Sequence, residues 1–407
     1  MKPSLRILLI SIFLLSISCT KDSSQKTPSI VTDQKTKELA INSHLVASSD
    51  TVELVLEQTF ESNEDVFLDG SLWRTLVDDR DQVIIVVQRL GKLGIYVFNQ
   101  SGGVESIMGR YGRGPGEFES ISSIAVTNDT LWVLDTRLQK ISLFSLVDYK
   151  HIKDELLDKS LVVGEDKFTR LMKGSKLFTV NKDEVIVKNK VLSLFEPNMF
   201  TKSVYYRISE DGKILSPEIL QQDRYTMYIF KERGSGREFG FTAPFTRTSL
   251  FTTNQKGDIY TAWSEDFRIQ KHNSRGEYER DFYYDIGKST LDLDKVDIYQ
   301  ERKKFIAEQG VPQTWPALHT IQADDEGRLW ISTITDSDST FKWFLIDGDS
   351  GDLKALFKFK GNRSEISPFV GQPFFEIKNG YFYTREYNYE EGIDRIVKYK
   401  IEFKERE

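Results

Sequence analysis

Six times along this chain a turn rich in Asp, Asn or Gly is followed by a short apolar or aromatic run. The six are Asp78 to Val87, Asn128 to Leu134, Asn181 to Val187, Asn254 to Ala262, Asp324 to Ser332 and Lys378 to Thr384. The phrase is plain when Gly257-Asp258-Ile259-Tyr260-Thr261 is set beside Gly327-Arg328-Leu329-Trp330-Ile331 and Gly380-Tyr381-Phe382-Tyr383-Thr384. A second alternating segment follows each: Ile95 to Asn99, Lys140 to Phe144, Val204 to Ile208, Arg268 to His272, Trp343 to Ile346 and Arg395 to Tyr399. Turn formers beside alternating β-branched and aromatic residues are hairpin signals, and their recurrence along the chain, although degenerate, is the mark of a repeat architecture.

The fourth unit shows a complete four-stranded meander: Ser249 to Thr253, Ile259 to Trp263, Arg268 to His272 and Tyr278 to Tyr284. Such a sheet has two faces to bury and two edges to protect, and stacking six of them radially about an axis does both. The expected fold is therefore all-β, a six-bladed β-propeller of four-stranded antiparallel blades. Two β-sandwiches would accommodate the same length, but they would not require one strand-turn-strand phrase six times. Ring closure predicts that Thr51 to Thr59 pairs into the last blade beside Arg395 to Phe403.

The N-terminus carries Lys2 and Arg6, the apolar run Ile7 to Leu15, and then Ser16-Ile17-Ser18-Cys19. A charged start, an apolar middle and small residues before a cut site form an export signal, and the run is far below the roughly 20 residues that span a bilayer. The segment resembles a bacterial lipoprotein signal, although Ser16 stands where such signals usually carry Leu. The resemblance implies removal of residues 1–18, acyl chains on Cys19, and a membrane partner reached through that lipid at the outer membrane of the cell envelope. Lys21-Asp22 is similar to the signal that displays some Bacteroidota lipoproteins on the outer surface. Thr20 to about His44 is polar with little apolar periodicity, so the chain divides into signal 1–18, flexible tether 19–48 and propeller 49–407.

Removal of residues 1–18 leaves 407 minus 18, or 389, residues, with Lys+Arg falling from 55 to 53 against 62 Asp+Glu. A net charge of 53 minus 62, about −9, with no long Lys/Arg cluster argues against nucleic acid as a partner, since phosphate-backbone affinity comes from released counterions. Cys19 is the sole cysteine. With it committed to lipid, no disulfide, zinc-thiolate site or cysteine nucleophile remains, and stability must come from core burial.

Between the first two units lies Gly109-Arg110-Tyr111-Gly112-Arg113-Gly114-Pro115-Gly116-Glu117-Phe118. Four glycines and a proline demand a tight backbone path, and Phe118 is placed to plug a blade interface. A phosphate loop would need a strand before, a helix after and a closing Lys-Ser or Lys-Thr, whereas strands flank both sides here, so the motif reads as a blade-linking turn. With Ile124-Ala125-Val126 and Leu131-Trp132-Val133-Leu134-Asp135 it resembles the NHL-type propeller repeat, specifically the six-bladed β-propeller lipoproteins common in Bacteroidota. The resemblance runs from about Asp50 onward; the third unit departs most, with an insertion-like stretch from Leu192 to Lys202. It implies the fold and leaves the chemistry open, because propellers host both enzymes and binding proteins.

One helix is predicted between the fourth and fifth blades, Ser289 to Gln309, with Ser289 or Thr290 as cap, Val296, Tyr299, Phe305 and Ile306 as its apolar set, and Gly310 and Pro312 as its stop. Connections from one blade's outer strand to the next blade's inner strand must open at one end of the ring. That mouth gathers Arg110 to Phe118, Arg233 to Phe245, Pro312 to Pro316 and Pro368 to Pro373. Arg110, Tyr111, Arg113, Arg237, Phe245, Trp315 and Phe369 are the expected recognition residues.

Catalytic signals are sparse. His44, His151, His272 and His319 show no metal-ligand spacing, and no Gly-x-Ser-x-Gly elbow occurs. Only His319 enters an expected inner strand, where it would either pack or face the channel. Asp-rich turns such as Asp324-Asp325-Glu326-Gly327 lack the EF-hand pattern. No cofactor and no metal are expected. The leading reading is a lipid-anchored envelope propeller acting as a non-catalytic binding or scaffold module for a protein, peptide or glycan; the alternative is a propeller hydrolase or lyase with a channel-bound metal.

Overall fold

The computed structural model describes residues 36–39, 50–62, 66–68, 72–89, 92–157, 169–180, 184–193, 202–209, 213–231, 238–334, 339–361, 363, 375–388 and 390–404. Cys19 with its signal-like segment, Arg237 and Phe369 lie outside these residues. Six blades of four antiparallel strands follow one another in chain order. From innermost to outermost strand, the first is Leu72–Val77, Val83–Arg89, Lys92–Phe98 and Val104–Met108, and the second is Ile121–Thr127, Thr130–Asp135, Lys140–Ser145 and His151–Leu156. The third is Thr169–Thr179, Val185–Ser193, Lys202–Ile208 and Ile214–Asp223, and the fourth has the four strands and bounds expected from its repeat. The fifth is Leu318–Ala323, Arg328–Ile334, Thr340–Asp347 and Leu353–Lys360. The sixth combines Phe375–Lys378, Tyr381–Asn388 and Ile393–Lys404 with Asp50–Phe60 as its outermost strand.

That outermost strand closes the ring as anticipated. It runs antiparallel to Ile393–Lys404 from Thr51 opposite Lys404 to Phe60 opposite Ile396, with one irregularity between Leu56 and Gln58. The ring is thus fastened by backbone hydrogen bonds between the two ends of the folded body, which cover the outer edge of Ile393–Lys404.

The turn phrase has a local cause. Asp78 Oδ1 accepts from the backbone N–H groups of Arg80 and Gln82, Asn254 Oδ1 from Lys256 and Asp258, and Asp324 Oδ1 from Glu326 and Arg328. A carboxylate or amide two and four residues ahead of its donors replaces the missing ladder partners, so the hairpin reverses in a fixed geometry before any tertiary contact forms.

The apolar runs are continuous because both faces of each blade are covered. Ile84, Val86, Ile95 and Val97 pack against Ile124, Leu131 and Val133 of the second blade. Their neighbours Val83, Ile85, Val87 and Phe98 face the other way, against Phe60, Tyr383 and Ile396 of the sixth. The same alternation builds six apolar clusters, one between each pair of adjacent blades.

Two departures from expectation stand out. The helix occupies Gln300–Gln309 only, preceded by a single 3-10 turn at Leu293–Lys295. Asp292 caps that turn by accepting from Asp294 N–H, and Val296 then turns extended at ψ 130, which ends it. The expected stop holds, with Gly310 at φ 105 closing on Ile306 O. Secondly, Thr36–Leu39, inside the segment read as tether, forms a strand that pairs in parallel with the outermost strand of the fourth blade, from Thr36 opposite Asp281 to Leu39 opposite Tyr284.

Candidate binding face

Inner strands run from one end of the ring to the other, so the connections between blades share an end with the turns between second and third strands. Contacts agree. In the connection from first to second blade, the N–H groups of Glu119 and Ser120 both donate to Asp135 Oδ2, at 2.7 and 3.1 Å, in the second blade's own turn. At the opposite end Lys256 of the fourth blade pairs with Asp349 of the fifth at 3.0 Å.

The glycine-rich motif is a closed turn. Gly112 N–H donates to Phe118 O at 3.0 Å, and Glu117 N–H to Gly114 O at 3.1 Å. The Glu117 carboxylate accepts from Gly114 N–H at 2.8 Å and from Arg110 Nε at 2.8 Å, which together hold it below the usual carboxylate range. The pocket of amides that an external anion would need is filled by the loop's own acid. Phe118 is fully buried between the first two blades and packs on Phe144 at 5.9 Å. Lys140 anchors the loop from beneath, donating to Gly114 O at 3.2 Å and pairing with Asp154 at 2.9 Å. Arg110, Tyr111 and Arg113 are left outward; Tyr111 is 58% exposed, and Arg113 pairs with Glu119 at the rim.

The connections from third to fourth and from fourth to fifth blade carry insertions that join. A hairpin, Tyr228–Lys231 with Glu238–Phe241, leaves the third blade, and the Gln309 side chain of the helix brackets it by donating to Ile229 O at 2.8 Å and accepting from Ile229 N–H at 3.0 Å. Arg302 lies over the rings of both Phe241 and Tyr299. Beneath, Arg247 donates to Phe245 O at 3.0 Å and to Thr314 O at 2.9 Å and pairs with Glu265 of the fourth blade's turn. Burial pushes the Glu265 carboxyl up, but its bonds to Arg247 and Lys288 outweigh this and hold it below its ordinary value. Phe245 and Trp315 belong to this foundation: both are buried in the cluster of the fifth and sixth blades, their rings edge-to-face at 6.0 Å. They hold the connections down and offer no recognition surface.

What the face does offer includes residues that sequence reasoning missed. Phe67, Phe239, Tyr299 and Tyr387 are exposed and join Tyr111, each in a connection or at a turn of this same end. The missed signal is their position in connections, in the inserted hairpin or at strand ends beside a turn, where no neighbouring blade covers the ring.

The three described histidines are structural, and His44 lies outside the described residues. His319 sits on an inner strand as expected but is 2% exposed, with Nδ1 against Ser332 Oγ at 3.1 Å and its ring stacked on Phe341 at 4.5 Å. Burial lowers its pKa to about 4. His151 pairs with Asp154 at 2.8 Å beneath the glycine loop, and His272 bonds Thr261 within its own blade. Among the described residues no three His, Cys, Asp or Glu side chains converge as a metal site.

A family model described as a 6-bladed beta-propeller, DUF5128, matches residues 63–235. Of solved structures, a member of the DUF4221 family from Bacteroides vulgatus superposes with a TM-score of 0.51 at 10% identity, covering 88% of this chain and 100% of that one. A protein of Bacteroides fragilis described as exported gives 0.49 at 13% identity over 90% and 99%. Streptogramin B lyase gives 0.39 at 11% identity over 88% and 99%. No curated protein matches the chain. At these identities the likeness concerns the fold alone.

Proposed function

We propose that this protein is an exported propeller with blades of NHL type, held at the outer membrane of the bacterial envelope by lipid on Cys19, that binds a protein, peptide or glycan at its connection face without transforming it. The observation that carries the reading is that Tyr111, Phe239, Tyr299, Phe67 and Tyr387 are all exposed in connections or at turns of one end of the ring. Aromatic side chains with an apolar body and a polar or edge-on rim are the usual anchors of recognition surfaces and lose little rotamer freedom on binding.

The test is crosslinking in intact envelopes of a Bacteroidota host, followed by purification through the full chain and mass spectrometry. The Tyr111→Ser/Tyr299→Ser double variant is expected to lose its partner with unchanged melting, and Cys19→Ser to move the protein from the membrane to the soluble fraction. A partner retained by the double variant would remove this face from consideration; a membrane-bound Cys19→Ser protein would remove the anchor.

A further inference from the structure

The outer half of the fifth blade carries a pair of charges that neither the fold nor the connection face uses. Lys342, on the third strand, stands directly opposite Lys358, on the outermost strand. The next pair along the same side is Phe344 with Leu356, and both pack in the cluster shared with Phe267 and Tyr284 of the fourth blade. The two lysines therefore stand together on the side that faces the fourth blade. Side chains directly opposite have Cβ atoms about 4.5–5.5 Å apart, and like charges in that position destabilise a ladder.

No acid offsets the pair. Lys354 and Lys360, on the same outermost strand, reach Asp347 at 3.8 Å and Glu386 at 2.6 Å. Among the described residues no carboxylate pairs with Lys342 or Lys358. Their neighbour in the same row, Thr333, gives its hydroxyl to Lys342 O at 3.0 Å. Lys342 is half-buried, with its ammonium 5.1 Å from the centroid of the Phe344 ring, and that ring packs edge-to-face on Phe267 at 5.1 Å. Burial, and then Lys358, lower the Lys342 pKa from the ordinary lysine value.

A lysine on an edge strand keeps other chains from pairing with it. That role accounts for the exposed Lys358 but not for Lys342, which lies one strand in. An ammonium seated on an aromatic floor beside a second ammonium, in a chain that is acidic as a whole, is a local source of positive potential.

We propose that Lys342 and Lys358 together bind a phosphate-type oxyanion, as free phosphate or as the phosphate of a lipid headgroup, on the outer half of the fifth blade. Each ammonium donates to a different oxygen of one anion, and charge-assisted bonds of this kind are the strong ones. The bound anion also cancels the repulsion that the ladder otherwise carries, so binding and stability are coupled. The site rests neither on the exposed aromatic residues nor on lipid at Cys19.

The experiment has two arms. In the first, melting of the full chain is followed at pH 7 and constant ionic strength as inorganic phosphate replaces chloride. In the second, the Cys19→Ser chain is sedimented with vesicles of phosphatidylcholine containing phosphatidylglycerol and with vesicles of phosphatidylcholine alone. A saturable rise in melting identifies free phosphate, and retention that requires phosphatidylglycerol identifies the headgroup. Lys342→Gln and Lys358→Gln are each expected to weaken the response about tenfold, as loss of a charge-assisted contact does, and Lys342→Arg to keep most of it. Without anion both glutamine variants are expected to melt no lower than the native protein, because each removes a like-charge contact, which separates lost binding from lost folding. No saturable response in either arm, or a response unchanged in both glutamine variants, overturns the assignment.

Discussion

Asn379 donates its side-chain amide to Asp81 Oδ1 at 2.7 Å, although 298 residues separate them. The contact bridges the first turns of the sixth and first blades, next to the Lys378–Asp79 pair. It stands at the seam that Asp50–Phe60 closes from outside. Deletion of residues 51–60 removes nine paired positions and the buried Phe60. The melting temperature is expected to fall by at least about 10 °C, or cooperative unfolding to vanish, in calorimetry. An unchanged transition would mean that the seam is held without this strand.

Phe118→Ala empties a fully buried site between two blades. Denaturant unfolding should show a loss of about 3–5 kcal/mol. Gly109→Ala should also destabilise, because Gly109 has φ +67 and an added Cβ would stand 2.6 Å from the Phe118 ring. Tyr111→Ala, seven residues before Phe118 but outward, should leave stability within about 0.5 kcal/mol.

Asp135 is fully buried and accepts four backbone N–H groups, from Glu119, Ser120, Arg137 and Leu138. Asp135→Ala strands those donors and is expected to cost about 3 kcal/mol or more. It should also raise proteolytic cleavage in the 109–120 connection; resistance equal to the native protein would show that the glycine loop holds its path without that carboxylate.

His319 is buried and its folded pKa is about 4, below the ordinary value of 6.5. The unfolded chain therefore binds its proton first as pH falls, and stability is lost progressively from about pH 6.5 down to about pH 4, then levels. The native neutral state costs nothing above that window. From the size of the shift the loss approaches about 3 kcal/mol. His319→Gln should flatten this part of the stability-pH curve; an identical slope in the variant would place the titration elsewhere.

Much of the fold could be read from local chemistry. Asp78, Asn254 and Asp324 set their turns through their own side chains, and the Val83–Val87 run states that both faces are covered, so blades follow from short-range features. The helix was read too long because Val296 and Tyr299 sit at helical spacing, while Asp292 caps a separate turn ahead of them. Phe245 and Trp315 were misassigned for a different reason: a long connection needs its own apolar footing, and composition does not distinguish an aromatic that plugs from one that is displayed.

The parallel strand Thr36–Leu39 changes what an anchor at Cys19 would do. Because this strand is laid along the outer edge of the fourth blade, a lipid on Cys19 would hold the body from Thr36 rather than from Asp50. Seventeen residues separate 19 from 36, a reach of roughly 55 Å when fully drawn out. Were Cys19 lipidated, the body would be held at the side of a wheel and not at its hub, so that either pole could be presented to its surroundings. The aromatic end would then sweep sideways along the membrane surface, within range of whatever is embedded next to it.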